Sequence, residues 1–294
     1  MRALSPRRLL PLLFAPALAA ACGGEGGPGA SAGGTGGGDA GAELHALPPA
    51  PAPGAKAPDG AGSATFAVRR LYLGDTARDG TPDLAEGWRS YGFDLDGKIS
   101  SASSADLCRP LHGASKEQVY PDGELGIDNA FGKRIVPILR GVDAELSQKI
   151  DQALVAGGRT SLFTLDQLGE GPDQGPISAR FYLGAALDHP PSFDGSDAWP
   201  VRARSLADAA DLGSATVTFP ESYLVGDVWV GHAQGDLPVS VRLSPGVDLV
   251  LPLSHAVVVM KLDPDHRGAT QGTIAGIVAI AALQWPPDGS PSNH

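Results

Sequence analysis

The amino-acid sequence predicts a mainly β fold, a sandwich or jelly-roll-like domain with one docked amphipathic helix. The first observation is a series of short runs rich in β-branched and aromatic residues, separated by Gly, Pro, Asp and Asn. The second is that only one stretch, 141–158, repeats apolar residues at helical spacing. Many strands and one helix favour packed sheets, and an α+β fold is the alternative.

The predicted strands share β-branched or aromatic content and turn residues at their ends. In chain order they are Thr65–Gly74, Trp88–Phe93, Thr160–Leu168, Ile177–Leu187, Ala215–Phe219, Tyr223–Val230, Pro238–Leu243, Val247–Leu253 and Ala256–Leu262. A further apolar run, Gly272–Leu283, fits a buried strand or a buried helix, because periodicity does not separate the two. It is too short to span a membrane.

The helix is predicted over Gly141–Gly158. Its apolar residues recur every four positions and are Val142, Leu146, Ile150 and Leu154. Asp143 lies near the start, and two glycines, Gly157 and Gly158, are expected to end the helix. We expect the apolar side to pack on a sheet.

The N-terminus has the pattern of an export signal. Residues 1–21 contain three arginines followed by the apolar run Leu9–Leu18, which is too short for a membrane span. The run ends in Ala19-Ala20-Ala21-Cys22, which resembles the lipobox of bacterial lipoproteins, although Leu is usual where Ala19 stands. The resemblance implies cleavage before Cys22 and its diacylation, which anchors a protein stably in a membrane. An ordinary secretory signal with Cys22 incidental is the alternative.

The rest of the chain divides by composition. Residues 22–62 follow the signal and are almost all Gly, Ala, Pro and Ser. They bury too little apolar surface to offset their ordering entropy, so we expect a disordered tether with a reach of roughly 35 Å. Residues 63–283 are expected to form one β-rich globular domain, and the polar, Pro-rich residues 284–294 a disordered tail.

Two segments of the expected domain are similar to each other. The sequence Arg-Leu-Tyr-Leu-Gly at 70–74 is echoed by Arg-Phe-Tyr-Leu-Gly at 180–184, and a tryptophan follows each at a similar distance. A degenerate internal duplication would explain this spacing. Chance similarity over five residues is the alternative.

The charge balance excludes one class of partner. The formal net charge is −11, with 33 acidic residues against 22 basic ones. Binding to a phosphate backbone requires clustered Lys and Arg, so we expect no nucleic-acid partner. An acidic surface suits solubility or the binding of divalent cations.

Acidic and amide oxygens are concentrated in two stretches. The first is Asp94-Leu95-Asp96-Gly97, which does not continue as an EF-hand because Ile99 and Ala105 stand where that motif has Gly and Glu. The second is Pro121–Asn129, where Gly123 and Gly126 allow the backbone to turn. We expect one calcium ion, bound by Asp94, Asp96, Asp122, Asp128 and Asn129. The alternative is that these side chains only stabilise turns.

Cysteine and histidine do not predict a second site. If Cys22 is acylated, Cys108 is alone in an oxidising compartment. A nucleophilic Cys108 requires a neighbouring base, and His112 is four residues away with nothing to show that a helix joins them. No spacing typical of a zinc site is present among the histidines and cysteines.

Four segments carry a resemblance to other proteins. They are Tyr91–Gly97, Gly126–Gly132, Phe193–Trp199 and Gly272–Gly276. Together they resemble a group of uncharacterised, predicted lipoproteins of myxobacteria, to which no activity is assigned. Members of that group continue beyond the last segment into a stretch with another cysteine, so the resemblance implies a truncated or frameshifted C-terminus here.

These patterns lead to one functional expectation and one alternative. We expect a non-catalytic lipoprotein of the cell envelope, in the periplasm or at the outer-membrane surface, that is either a module binding an extracellular glycan or protein ligand or a structural module of the envelope. Its four tryptophans form either a sugar platform or parts of the core. The alternative is a secreted hydrolase that uses paired carboxylates.

Overall fold

The computed structural model describes residues 45–52, 62–104, 121–122, 126–244 and 247–279. The predicted export signal, Cys22, Cys108 and the predicted tail lie outside these residues.

Eight antiparallel strands form the body of the described chain, which confirms the predicted mainly β fold. They are β1 (Gly62–Ala67), β2 (Ser161–Leu168), β3 (Gln174–Leu183), β4 (Val217–Val225), β5 (Val228–His232), β6 (Leu237–Ser244), β7 (Val247–Leu262) and β8 (Ala269–Ile277). Neighbouring strands pair in the order β1-β2-β3-β4-β5-β7-β6, and β8 also pairs with β7. The arrangement is consistent with a β-sandwich.

Strand β7 joins two parts of this arrangement through a bend. Its first half pairs with β6, and its second half pairs with β5 on one side and β8 on the other. The bend lies at His255, whose φ is 49°, and the register with β8 shifts between Ser254 and Val257. Two predicted strands are therefore one bent strand. Gly276 of β8 lies so close to β7 that a Cβ at this position would be 3.0 Å from the Leu253 Cβ.

One face of the sheet carries the main core. Phe163 and Phe181 lie with ring centroids 5.2 Å apart, and Phe219 meets Trp229 edge-on at 5.3 Å. The β6–β7 hairpin adds apolar side chains such as Val239 to the same core. Buried polar groups here are satisfied, since the Trp229 indole donates to the Ser222 hydroxyl at 2.8 Å.

Two short α-helices cover this core, α1 (Val136–Val142) and α2 (Leu146–Val155), and a π-helical turn, Phe131–Ile135, precedes α1. The docked amphipathic helix is confirmed as α2, which buries Leu146, Ile150 and Leu154. The predicted helix start at Gly141 was wrong. Asp143 has an extended backbone and its carboxylate accepts the Glu145 N–H at 3.0 Å, which separates the two helices. Val142 consequently faces outward and is 88% exposed.

Irregular segments cover the opposite face of the sheet. One cluster packs Phe93 and Leu47 against valines of β5 and β7. A second packs Leu206 and Trp199 against Leu162 and Tyr182 of β2 and β3. The candidate site lies on the loops that extend from the first cluster.

Part of the expected tether lies on this face. The His45 carbonyl accepts the Asp94 N–H at 3.0 Å, and the Pro48 carbonyl accepts the Tyr223 hydroxyl at 2.6 Å. Leu47 between them packs into the cluster around Phe93. Residues 45–52 are therefore attached to the sheet. Composition assigns them to the tether, because it predicts that the domain begins at residue 63.

The prediction of a strand at Trp88–Phe93 was wrong. Gly87–Tyr91 is a 3₁₀ turn. It forms because the Asp83 carboxylate accepts the Glu86 N–H and the Trp88 indole donates to the Ala85 carbonyl, so local bonds replace a strand ladder.

The remaining ambiguous segments have definite structures. The first part of the apolar run that begins at Gly272 lies in strand β8, which ends at Ile277, and residues 280–283 of the run lie outside the described residues. Residues 70–74, half of the suspected duplication, lie outside any strand, whereas the matching Arg180 and its neighbours lie in β3. None of the helices in the described part of the chain is long and apolar enough to cross a membrane.

Candidate metal centre

Two buried residues position the acidic loops. Phe93 is 1% exposed and Ile127 is 2% exposed, and each is followed directly by an aspartate, Asp94 and Asp128. The Asp128 N–H donates to the Phe93 carbonyl at 2.9 Å, which holds the two loops side by side. The core therefore fixes where the two carboxylates leave the fold.

Three of the five predicted calcium ligands come together. One ligand oxygen from each of Asp94, Asp96 and Asp128 lies within 4.8 Å of the other two. Asp94 is half-buried in this group, whereas Asp96 and Asp128 are exposed as residues, although the carboxyl group of Asp128 is partly desolvated. The predicted convergence of the two stretches is thus observed for these three carboxylates.

The same carboxylates also hold turns. The Asp128 Oδ2 accepts the Leu95 N–H at 2.8 Å. The Lys98 N–H donates to the Asp94 Oδ1 at 3.1 Å and to the Asp96 Oδ1 at 2.9 Å. The turn-forming alternative therefore describes a real role of these residues. An ionised carboxylate has about four lone-pair sites, so these bonds leave room for a cation.

The electrostatics of the cluster favour an added positive charge. Burial raises the pKa of the Asp128 carboxyl, and the nearby Asp96 and Asp122 charges raise it further, against the lowering effect of the Leu95 N–H bond. A divalent cation between the carboxylates would remove this repulsion.

Glycine is required at one position of the site. Gly126 has a φ of 67°, and a Cβ there would lie 2.7 Å from the Lys98 carbonyl oxygen and 3.0 Å from the Asp94 carboxylate. This close approach brings a backbone carbonyl to the edge of the acidic cluster. The sequence signal for it is Gly126, the second of the two glycines between Asp122 and Asp128.

The other two predicted ligands are bound elsewhere. Asp122 accepts the Ser100 N–H at 2.7 Å and also contacts the Ser100 hydroxyl. Asn129 donates to the Trp88 carbonyl at 2.8 Å and to the Tyr91 carbonyl at 2.9 Å, and its Oδ1 accepts the Gly132 N–H at 2.8 Å. Asn129 therefore joins the 3₁₀ turn to the π-helical turn.

The chemistry of the cluster is that of a hard cation site. Calcium binds six to eight oxygens at 2.3–2.6 Å in irregular geometry, and carboxylates, backbone carbonyls and water all supply them. Three carboxylates at the surface fit such a site, with water and carbonyls as the remaining ligands. The residues that would hold calcium are Asp94, Asp96 and Asp128.

Sequence reasoning missed a buried ion pair beside a groove of about 280 Å³. Asp75 is 3% exposed and accepts bonds from the Arg140 guanidinium at 2.7 Å and the Ser147 hydroxyl at 2.7 Å. Leu84 and Pro137 line the groove above it. No sequence pattern marks these contacts, because Arg140 is 65 residues and Ser147 is 72 residues from Asp75.

The three tryptophans that the structure describes do not share a surface. Trp229 is 0% and Trp88 is 7% exposed, so both belong to the interior, as the core alternative predicts. Trp199 packs in the cluster around Leu206, and Trp285 lies outside the described residues.

The segments that resemble the myxobacterial lipoproteins lie in different parts of the structure. Two of them form the acidic loops, Gly272–Gly276 lies in β8, and the third places Phe193 against Trp199 at 6.2 Å. No family model, no curated protein and no solved structure matches this chain. The resemblance therefore stays a prediction.

Proposed function

We propose that this chain is a lipid-anchored, non-catalytic protein of the bacterial cell envelope whose acidic loops bind calcium. The anchor is proposed from the signal-like residues 1–21 and from Cys22 in a lipobox-like setting. Two acyl chains on Cys22 would hold the protein at a membrane.

The single observation that supports the calcium role is the approach of the Asp94, Asp96 and Asp128 carboxylates to within 4.8 Å of one another. Oxygen ligands at this spacing suit calcium, which is a common stabiliser of loops outside the cytosol. Calcium would hold together the loop that carries Asp94 and the loop that carries Asp128. Because the Asp94 N–H binds the His45 carbonyl, calcium would also hold the first docked residue of the tether.

The wider role that we propose is binding of an extracellular glycan or protein. Binding residues are commonly placed on loops that a rigid sheet positions, and the acidic loops of this domain extend from a sheet that carries packed clusters on both faces. The hydrolase alternative calls for two carboxylates facing one cleft. In the groove beside α1, the lining carboxylate Asp75 is bound to Arg140 and Ser147, as in a structural ion pair.

The anchor is tested by metabolic labelling with palmitate in a bacterium that processes lipoproteins. We expect label in the wild-type chain, recovery in the membrane fraction, and loss of both in Cys22→Ser. An unlabelled wild-type chain, or one found only in the cytoplasm, would contradict the proposal. Screening the same protein on a glycan array then tests for the ligand.

A further inference from the structure

The groove beside α1 is open to an external group. One side of the helix lines it, because Val136 and Arg140, and likewise Pro137 and Gly141, are four residues apart. Leu84 also lines the groove and is 61% exposed, so the groove reaches the surface at an apolar side chain. We call the groove that these five residues line the α1 groove.

Three glycines line the α1 groove, and close contacts explain only two of them. A Cβ at Gly74 would lie 3.0 Å from the Gly132 Cα, and a Cβ at Gly132 would lie 2.7 Å from the Asn129 Nδ2. Beyond its own helix and chain neighbours, a Cβ at Gly141 would meet no atom of the described residues within 4 Å. Glycine is nevertheless unfavourable inside a helix. Gly141 therefore leaves open a space that a larger side chain would fill.

One cationic side chain, Arg140, supplies hydrogen-bond donors to the α1 groove. Its Nη1 donates to the Asp75 carboxylate at 2.7 Å, and Asp75 is its only partner in the described part of the chain. Arg140 has no buried nitrogen without a partner, so its remaining N–H groups are accessible to an acceptor from outside. Asp75 neutralises the guanidinium and holds it in place. The groove therefore offers directed donors without net positive charge.

Acidic residues flank the α1 groove and decide which kind of acceptor it takes. Asp83 precedes Leu84 in the sequence. Asp143 and Glu145 lie on either side of Ala144, which also lines the groove. These carboxylates repel an anionic ligand but do not repel a neutral carbonyl. The acceptor that fits Arg140 here is therefore a neutral carbonyl oxygen.

We infer that the α1 groove binds an aliphatic side chain of an extracellular protein, while a peptide carbonyl of that protein accepts a bond from Arg140. The groove volume of about 280 Å³ lies below the roughly 300–1,000 Å³ of pockets that enclose a drug-sized ligand. Most of the partner therefore stays outside the groove. The lining is aliphatic apart from Asp75 and Arg140, so burying the hydroxyl groups of a glycan there would be costly. The inference rests on the proposed binding function and selects a protein as the ligand.

NMR titration of the full chain with short peptides tests the α1 groove. The chain carries Cys22→Ser, so that no acyl chain competes for the groove, and the amide signals of Gly74 and Gly132 report binding. The main probe is acetyl-Ala-Leu-Ala-amide. Acetyl-Ala-Gly-Ala-amide lacks the aliphatic side chain, acetyl-Ala-Leu ends in a carboxylate, and cellobiose represents a glycan.

We expect the leucine peptide to bind about tenfold or more tightly than the glycine peptide, and more tightly than the peptide with a free carboxylate. Gly141→Leu should fill the groove and abolish binding, with a melting midpoint at or above that of the wild type. The matched control is Gly62→Leu, at an equally open position at the start of β1, which should bind normally. Arg140→Lys keeps the charge beside Asp75 but loses the planar guanidinium, and should weaken binding by about fivefold.

Equal affinity for the leucine and glycine peptides, unchanged binding by Gly141→Leu, or tighter binding of cellobiose would each overturn the inference. A ligand from the glycan array that Gly141→Leu still binds would support the proposed binding function and overturn the groove as its site. Binding of the leucine peptide by a chain that incorporates no palmitate and gains no stability from calcium would support the groove, while the proposed anchor and calcium site fail.

Discussion

Asn129 illustrates how the same residue type supports two interpretations. Its position beside Asp128 predicts a calcium ligand, but its amide binds the Trp88 and Tyr91 carbonyls and the Gly132 N–H. These partners are far away in sequence or belong to an unpredicted helical turn, so no local pattern could identify them. The three aspartates were predictable because alternating Asp beside Gly is visible in the sequence.

Replacing Asn129 should cost stability whether or not calcium is present. Asn129→Ala leaves two carbonyls and one N–H without their partner, and we expect the free energy of unfolding to fall by about 2–4 kcal/mol. Urea denaturation in EDTA measures this. Gln152→Ala, an exposed site on α2, is the control and should change little. Equal effects at the two positions would contradict the structural role of Asn129.

Asp128→Asn should raise the stability of the calcium-free protein and weaken calcium binding. The pKa of Asp128 is raised by burial, so the folded protein holds this proton more tightly than the unfolded chain does. Its contribution to stability is therefore present below the ordinary aspartate pKa and is lost as the pH rises through the raised value. Above that window, and without calcium, we expect the variant to melt higher than the wild type.

The same variant should bind calcium at least about tenfold more weakly, because a ligand charge is removed while the bond to the Leu95 N–H is kept. Melting curves against pH in EDTA, followed by a calcium titration, check both parts. Convergence of the two melting curves at low pH is the internal control. A variant that binds calcium as well as the wild type would remove Asp128 from the site.

At the scale of elements, the helix and strand boundaries that differ from the sequence prediction are set by tertiary contacts. The apolar period predicts α2, but α1 contains Pro137 and Gly141, whose low helix propensity hides it from a local reading. The sequence predicts an interruption between Leu253 and Ala256, but it does not predict that the chain continues through His255 as one bent strand. Strand existence was predictable from β-branched content, whereas the bends and short turns depend on neighbours in space.

The bend in β7 makes a prediction about backbone strain. His255 has a φ of 49°, a conformation that β-branched residues strongly disfavour. We expect His255→Val to lower the free energy of unfolding by about 1–3 kcal/mol and His255→Gly to leave it unchanged or higher. His232→Val, at the exposed end of β5, is the control and should be close to neutral. Chemical denaturation of the three variants is the measurement, and similar values for the two valine variants would argue against the strained bend.

The buried ion pair joins three elements, because Asp75 holds Arg140 of α1 and Ser147 of α2 to the segment after β1. Asp75→Ala should lower the free energy of unfolding by about 3 kcal/mol, since it leaves a largely buried guanidinium without its partner. Asp166, which pairs with Arg180 at 2.6 Å at a more exposed position, provides the comparison. Asp166→Ala should cost about 1 kcal/mol or less. Equal losses of unfolding free energy in the two variants would contradict a larger stabilising effect of the buried pair.

At the scale of the whole molecule, the mainly β class and the docked helix α2 followed from composition and period, whereas α1 did not. The order of the strands did not, because pairings such as β1 with β2 join residues roughly 100 positions apart and no local signal specifies them. The acidic site was predictable only in part. Its residues were visible in the sequence, while their convergence depends on the burial of Phe93 and Ile127 and on the bond from the Asp128 N–H to the Phe93 carbonyl.

The proposed calcium centre is tested most directly by the melting midpoint of the purified protein in calcium and in EDTA. At a calcium concentration about 100 times the dissociation constant, binding stabilises the folded state by about 2.7 kcal/mol. For a domain of this size we expect the midpoint to rise by about 5–10 °C. The rise should disappear in a variant with Asp94, Asp96 and Asp128 all replaced by Asn. Identical wild-type midpoints in calcium and in EDTA would contradict the site.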